Sequence, residues 1–276
     1  MSPDIRSLVF YITATAAAVA LFLFAPGIDL WAGSLFFRPG EGFFLADVGI
    51  VRVLYRLVPW IVATQAIGIP LLLLLGWWRG RKIARMGVKE SVIVLLVLVL
   101  GPGLAVNTVL KDHWGRARPS QVVEFGGSQA FTAAPLPANT CDKNCSFVSG
   151  HAAVGFGLIA YSLLAMTPTR RRIITAGAVA AGTMIGLARV AQGAHFLSDV
   201  VFAGLLVCGL AQLLGWALLE RDLAGVLWRR SVERLARPGA AWALYALLSL
   251  IGIAICLVGI LRVLNGAYLK EAIWKQ

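Results

Sequence analysis

Seven apolar stretches, near residues 8–26, 57–78, 91–110, 149–166, 173–188, 196–219 and 242–264, constrain this chain more than any other feature. A helix rises 1.5 Å per residue and a bilayer's hydrocarbon core is about 30 Å thick, so about twenty apolar residues make one crossing. Inside lipid the backbone must satisfy its own hydrogen bonds, which leaves helices or a closed barrel. Runs of this length select helices. With 59% hydrophobic and 14% charged residues and a mean hydropathy of +0.81, the chain lies far from soluble domains, which carry about a quarter charged residues. The expected fold is all-α: a polytopic membrane helix bundle, a single domain over 1–276. Its six-span core has the chemistry-bearing part at about 91–219, and residues 240–264 add a seventh span.

The net charge of +12 does not point to nucleic acid, because the basic residues fall in short groups between apolar runs instead of on one face. Such groups orient a membrane protein. Arg79, Arg81, Lys82, Arg85 and Lys89 follow the second run, and Arg170, Arg171 and Arg172 follow the fourth. Both are expected in the cytoplasm, so alternate connections lie outside. The first run is read as a span that starts in the cytoplasm; a removable signal peptide is the alternative, against which stands the length of the run. Residues 27–51, broken by Pro39-Gly40, suit a segment along the outer surface, and the basic 220–237 suits a surface helix. Gly101-Pro102-Gly103 should bend the third span. Gly177, Ala180, Gly182 and Gly186 should let the fifth approach its neighbours.

Charged residues gather in three places on the outer side of this topology. Lys111 to Pro119 follow the third span, Ser149-Gly150-His151 open the fourth (which begins at Ser146 or Ser149), and Arg189 to Asp199 join the fifth and sixth. All three histidines of the chain fall in these clusters. Lys111, Arg118 and Arg189 can neutralise phosphoryl oxygens. Ser149 and Gly150 stand at a helix start, where free N–H groups and the helix dipole favour an anion. His195 and Asp199, four apart, share a helix face, so the carboxylate can orient the imidazole. His195 then serves as nucleophile to phosphorus and His151 as proton donor to the leaving oxygen, a division of labour that gives a bell-shaped pH profile. No carboxylate cluster for a metal and no CxxC or HExxH spacing accompanies them.

At these residues the chain resembles the type 2 phosphatidic acid phosphatase family, which shares its site with vanadium haloperoxidases. Lys111 to Arg118-Pro119 fits the family's first motif. Val148-Ser149-Gly150-His151 has Val where the family has Pro, and Ala188-Arg189 has Ala where it usually has Ser, while His195 and Asp199 fit. The resemblance implies a phosphate cradle of Lys111, Arg118, Ser149, Gly150 and Arg189, with His151 as general acid, His195 as nucleophile and Asp199 as its orienter. It implies metal-independent hydrolysis of a lipid phosphate through a phosphohistidine, without cofactor, on the periplasmic face of a bacterial inner membrane. The expected partners are the lipid bilayer and a lipid phosphate substrate, not nucleic acid. Within the family, residues 144–151 are most similar to the bacterial lipid A phosphatases; phosphatidylglycerophosphate and undecaprenyl pyrophosphate phosphatases are the alternatives. From another class, charges among spans also suit a transporter, against which stands their position at span ends.

Other residues carry lesser expectations. Asp112, His113 and Arg116 read as loop-structuring or surface residues, with Arg116 adding to the positive charge offered to substrate. Asn144 and Gln192 are candidates to hydrogen-bond a headgroup, and Cys208 and Cys256 read as small buried hydrophobes. Cys141 and Cys145 lie four apart in the outer loop, close enough for a disulfide in an oxidising compartment.

Overall fold

A computed structural model describes residues 5–83 and 86–220; the seventh span, the basic 220–237 segment beyond its first residue, and Cys256 lie outside them. Helix α1 (Ile5–Phe24) ends at Ala25-Pro26, and α2 (Gly27–Ser34) leaves at 81° to it. A two-stranded ribbon follows, β1 (Phe37–Arg38) against β2 (Gly42–Phe43). The turn falls at Pro39-Gly40, where Gly40 has φ +84. Helix α3 (Gly49–Trp78) begins eight residues before the expected span. The stretch 27–51 is therefore a short helix, a ribbon and the first turn of α3, not one surface segment.

Helix α4 (Val88–Leu98) continues as wider π-helical turns over Val99–Leu110 and one further turn, Lys111–His113. Gly101-Pro102-Gly103 does not break it. The wider winding absorbs the missing proline N–H, and the Asn107 amide donates to the Pro102 carbonyl at 2.7 Å. Helix α5 (Gly150–Gly157) tightens into 3₁₀ turns over Leu158–Leu164. At fifteen residues this apolar helix is shorter than its neighbours. Helix α6 (Pro168–Ala191) starts with Thr167 accepting the Arg170 N–H at 3.3 Å and with proline in its first turn. Helix α7 (Leu197–Gly215) runs on through Trp216–Glu220. Among the described residues four helices are long and apolar enough to cross a membrane, five if α1 and α2 count as one bent span.

In lipid, helices associate by close van der Waals contact more than by burying apolar surface from water, so small residues decide where they touch. A Cβ on Gly155 would sit 2.7 Å from the Gly182 Cα, and one on Gly182 would sit 2.5 Å from the Phe156 ring. Backbones of α5 and α6 thus meet directly. Gly186 likewise lies under Val200 of α7. Gly177 and Ala180, expected to do the same, are exposed, and nothing stands within 4 Å of a Cβ placed on Gly177. Val94, Val97, Phe156, Ile159, Ala203 and Val207 fill the space between α4, α5 and α7.

Helix directions alternate, so the end of α4, the start of α5, the end of α6 and the start of α7 lie together at one end of the bundle. The triple arginine 170–172 lies at the other.

Candidate active site

The peptide chain ties the three charged clusters together before any side chain does. Cys145 N–H donates to the Lys111 carbonyl at 2.9 Å and Ser146 N–H to that of Arg116 at 2.9 Å, joining the first cluster to the approach of α5. Ser149 N–H donates to the Asp199 carbonyl at 3.1 Å, and Ser120 N–H to that of Gly193 at 2.9 Å. Gly193 has φ +63, and the Phe43 ring occupies the place of its missing Cβ. Any side chain there would be strained and would displace the ribbon.

All eight residues expected at the site converge. Lys111, 7% exposed, donates to the Asn144 side-chain oxygen at 3.2 Å. Arg118 donates to the same oxygen at 3.1 Å and to the Asn144 carbonyl at 2.7 Å. Arg189 donates to Gln192. The anticipated headgroup contacts, Asn144 and Gln192, therefore hold the cations in place, and they do so with neutral oxygens. Ser149 caps α5, its hydroxyl 3.5 Å from the Ala152 N–H. Gly150 leaves room for Asn107 and Lys111: a Cβ would lie 2.5 Å from the Asn107 oxygen and 3.3 Å from Lys111 Cε. His151 lies in electrostatic range of Arg189, Lys111, His195 and Arg118.

Tyr55 of α3, not singled out by its sequence context, stacks on His151 at 4.8 Å with planes 17° apart, and the Arg189 guanidinium lies 4.8 Å over the same ring. It ties α3 to the site. A lone tyrosine between Arg52 and Arg56, just before the second apolar run, gives no sequence signal of this.

His195 and Asp199 are wholly buried. Nδ1 of the imidazole is 3.5 Å from Asp199 Oδ2. That oxygen also accepts from the Ser146 hydroxyl at 2.5 Å and from the Phe196 N–H at 2.8 Å. Burial drives the His195 pKa down to about 3, with Lys111 and Arg118 adding to the effect and Asp199 opposing it. The ring is neutral at neutral pH. Burial also lowers Arg118, against the pull of Asp199. His151 Nε2, Arg189 Nε and His195 Nε2 are buried without hydrogen-bond partners among the described residues, and His195 Nδ1 has only the long 3.5 Å approach to Asp199. Polar atoms sealed without partners are costly, and here they cluster beside three cations.

Arg116 is the main correction to the sequence reading. It is wholly buried, not a surface or substrate-facing residue. Its Nε donates to the Thr132 carbonyl at 2.9 Å, Nη1 to Asp199 Oδ1 at 2.7 Å and Ser198 Oγ at 2.9 Å, and Nη2 to Asp29 Oδ2 at 2.8 Å. Its face lies 4.1 Å from the Phe196 ring centre. Asp29, one acid in the mixed stretch after the first run, carries no sequence signal of this contact. His113 is exposed and bonds the Val109 carbonyl at 2.8 Å. Cys141 and Cys145 are joined in a disulfide with Cα atoms 5.7 Å apart, and Cys208 is buried as expected.

A family model described as the PAP2 superfamily matches residues 91–224. The chain is 46% identical over 119 residues to a lipid A 4'-phosphatase of Francisella tularensis subsp. novicida, a match covering 43% of this chain and 54% of that protein. It is 35% identical over 213 residues to a lipid A 4'-phosphatase of Rhizobium leguminosarum, covering 68% of this chain and 86% of the relative. A third of that name, from Rhizobium etli, is 33% identical over 212 residues, covering 68% and 78%. No solved structure matches the chain. With its three motifs folded into one pocket and relatives aligned over most of their own length, the chain belongs to the PAP2 superfamily.

Proposed function

We propose that this protein is a membrane lipid phosphatase that hydrolyses a phosphate of lipid A, at the 4' position, on the periplasmic face of a bacterial inner membrane. The observation that carries the reading is the pocket of Lys111, Arg118 and Arg189, held by neutral amides beside the unpartnered nitrogens of His151, His195 and Arg189. A phosphate monoester brings negative charge to the cations, acceptors to the Arg189 and His151 N–H groups, and an electrophilic phosphorus to His195 Nε2. The names of the relatives support lipid A and the 4' position.

In this mechanism the His195 Nδ1–H points to Asp199, so Nε2 attacks phosphorus. A P–N bond forms, the P–O bond to the sugar breaks, and the leaving oxygen takes its proton from His151. Water, giving a proton back to His151, then attacks phosphorus; a new P–O bond forms, the P–N bond breaks, and inorganic phosphate and free His195 result. Lys111, Arg118, Arg189 and the N–H groups at the start of α5 meet the charge that spreads over the equatorial oxygens. No step calls on a metal.

The test is phosphate release by the detergent-solubilised protein from lipid A, phosphatidylglycerophosphate and undecaprenyl pyrophosphate, each with EDTA. Release from lipid A fastest, and undiminished by EDTA, is expected. Rapid cleavage of phosphatidylglycerophosphate with lipid A untouched would sink the substrate assignment and leave the phosphatase. Loss of activity in EDTA would overturn the metal-free mechanism.

A further inference from the structure

Asp29 lies on α2, outside the three motifs and outside the family-matched residues 91–224. It is 1% exposed, and its partners are all at the site. Oδ1 accepts the Ser198 N–H at 2.8 Å. Oδ2 accepts from the Ser198 hydroxyl at 2.5 Å and from Arg116 Nη2 at 2.8 Å. Arg116 in turn grips Asp199 Oδ1 at 2.7 Å. One guanidinium is thus shared by two carboxylates, and only one of them faces His195.

We propose that Asp29 is a positioning residue which, through Arg116 and Ser198, fixes the carboxylate of Asp199 so that Oδ2 is presented to the nucleophile. This rests on His195 being that nucleophile. The two oxygens of Asp199 have separate duties: Oδ1 is taken by Arg116, while Oδ2 gathers Ser146, the Phe196 N–H and His195 Nδ1. That division holds only while the guanidinium plane is fixed. Thr132 and Asp29 pin it from two sides, and Phe196 lies against its face. Without the Asp29 charge, the buried Arg116 Nη2 loses its anionic acceptor, and the guanidinium is drawn wholly toward Asp199. Asp199 then turns, and the His195 ring loses the oxygen that sets its tautomer. Lys111, Arg118 and Arg189 touch none of this network by hydrogen bond.

Asp29 therefore affects turnover without affecting phosphate binding, and a kinetic split tests it. Asn at position 29 keeps the shape and removes the charge. For Asp29→Asn in detergent micelles, with lipid A as substrate, kcat falls on the order of 10- to 100-fold, by analogy with the outer-shell groups that orient metal-ligating histidines. KM and the inhibition constant of orthovanadate stay within about twofold of wild type. Unchanged kcat in the folded variant overturns the proposal, as does a fall in kcat accompanied by equal loss of vanadate inhibition, which marks general collapse of the site. Should Asp29→Asn not fold, Ser198→Ala decides: it removes the hydroxyl shared by Asp29 and Arg116. Its kcat is expected to fall several-fold at unchanged KM, and a normal kcat overturns the proposal. Wild-type protein that released no phosphate would fail the phosphatase reading itself, whereas an active wild type beside an equally active Asp29→Asn fails this inference alone.

Discussion

Arg116 and Arg118 stand two residues apart in Gly115-Arg116-Ala117-Arg118-Pro119, and the fold gives them opposite surroundings. Arg116 is sealed, with carboxylates of Asp29 and Asp199 on its two ends. Arg118 is half-buried and held by the amide and carbonyl oxygens of Asn144. The difference separates two uses of one cation. A charge neutralised inside the protein fixes geometry, while a charge held by neutral oxygens is available to an incoming anion without displacing a carboxylate. Between the two regions sits His195, with Asp199 behind it and the cations in front.

The largest expected effect comes from the residue where the regions meet. His195→Ala is expected to lower phosphate release by roughly 10⁴-fold or more, since in the proposed mechanism it removes the attacking atom, with thermal stability close to wild type. Near-normal turnover would refute the phosphohistidine mechanism and remove the reason for setting the two regions on either side of it.

Next comes the contrast itself. Arg116→Met strands two buried carboxylates, and breaking a buried pair costs about 3–5 kcal/mol; the check is the midpoint of thermal unfolding in detergent. Arg189→Ala should leave that midpoint nearly unchanged and lower kcat/KM by about 10²- to 10³-fold, the typical loss for one charge-stabilising donor, together with vanadate inhibition. If Arg116→Met were as stable as wild type, or if vanadate inhibited folded Arg189→Ala unaltered, the distinction between sealed and available cations would fail.

Acid should separate the regions further. The pKa of His195 falls from about 6.5 in the unfolded chain to about 3 in the fold. Above pH 6.5 the ring is neutral in both states and pH has no effect through it. Between 6.5 and 3 the unfolded chain takes up a proton that the folded site refuses, so stability falls with pH, and below 3 the loss is complete. Unfolding midpoints from pH 7 to pH 4 should fall less steeply in His195→Ala than in wild type; equal slopes would show that His195 is not held neutral by burial.

Much of the candidate site was legible because the phosphate chemistry proposed for it needs particular side chains in a particular order, and their spacing survives any detail of packing. Lys111, Arg118, Ser149, Gly150, His151, Arg189, His195 and Asp199 all come together. What escaped notice is carried by contact between segments distant in sequence. Asp29 reads as one acid in a mixed stretch, yet it meets Ser198 across 169 positions. Tyr55 is one aromatic in a span, and only the fold lays it on His151. The helix directions followed from alternation of the basic loops, but the winding of α4 through Gly101-Pro102-Gly103 did not: proline marks a lost hydrogen bond, and neighbours decide whether the helix bends or rewinds.

The smallest effect concerns the residue that serves the available cations. Asn144 has φ +53 and lies within the loop closed by Cys141 and Cys145. Its side-chain oxygen meets both Lys111 and Arg118, so the loop fixes the spacing of two cations at once. A five-residue ring removes little chain entropy, about 2 kcal/mol by the loop-closure relation, and it lies away from Arg116 and its carboxylates. Cys141→Ser together with Cys145→Ser should therefore lower stability by no more than that amount. Asn144, free to leave the left-handed region that asparagine tolerates but does not require, would hold the two cations less well, so KM should rise a few-fold while kcat stays near wild type. Phosphate release over a range of lipid A concentrations, with and without reductant on the unsubstituted protein, separates the two parameters. A fall in kcat at constant KM would mean that the loop acts on the buried region after all, through the Ser146 hydroxyl on Asp199, one residue beyond the bridge.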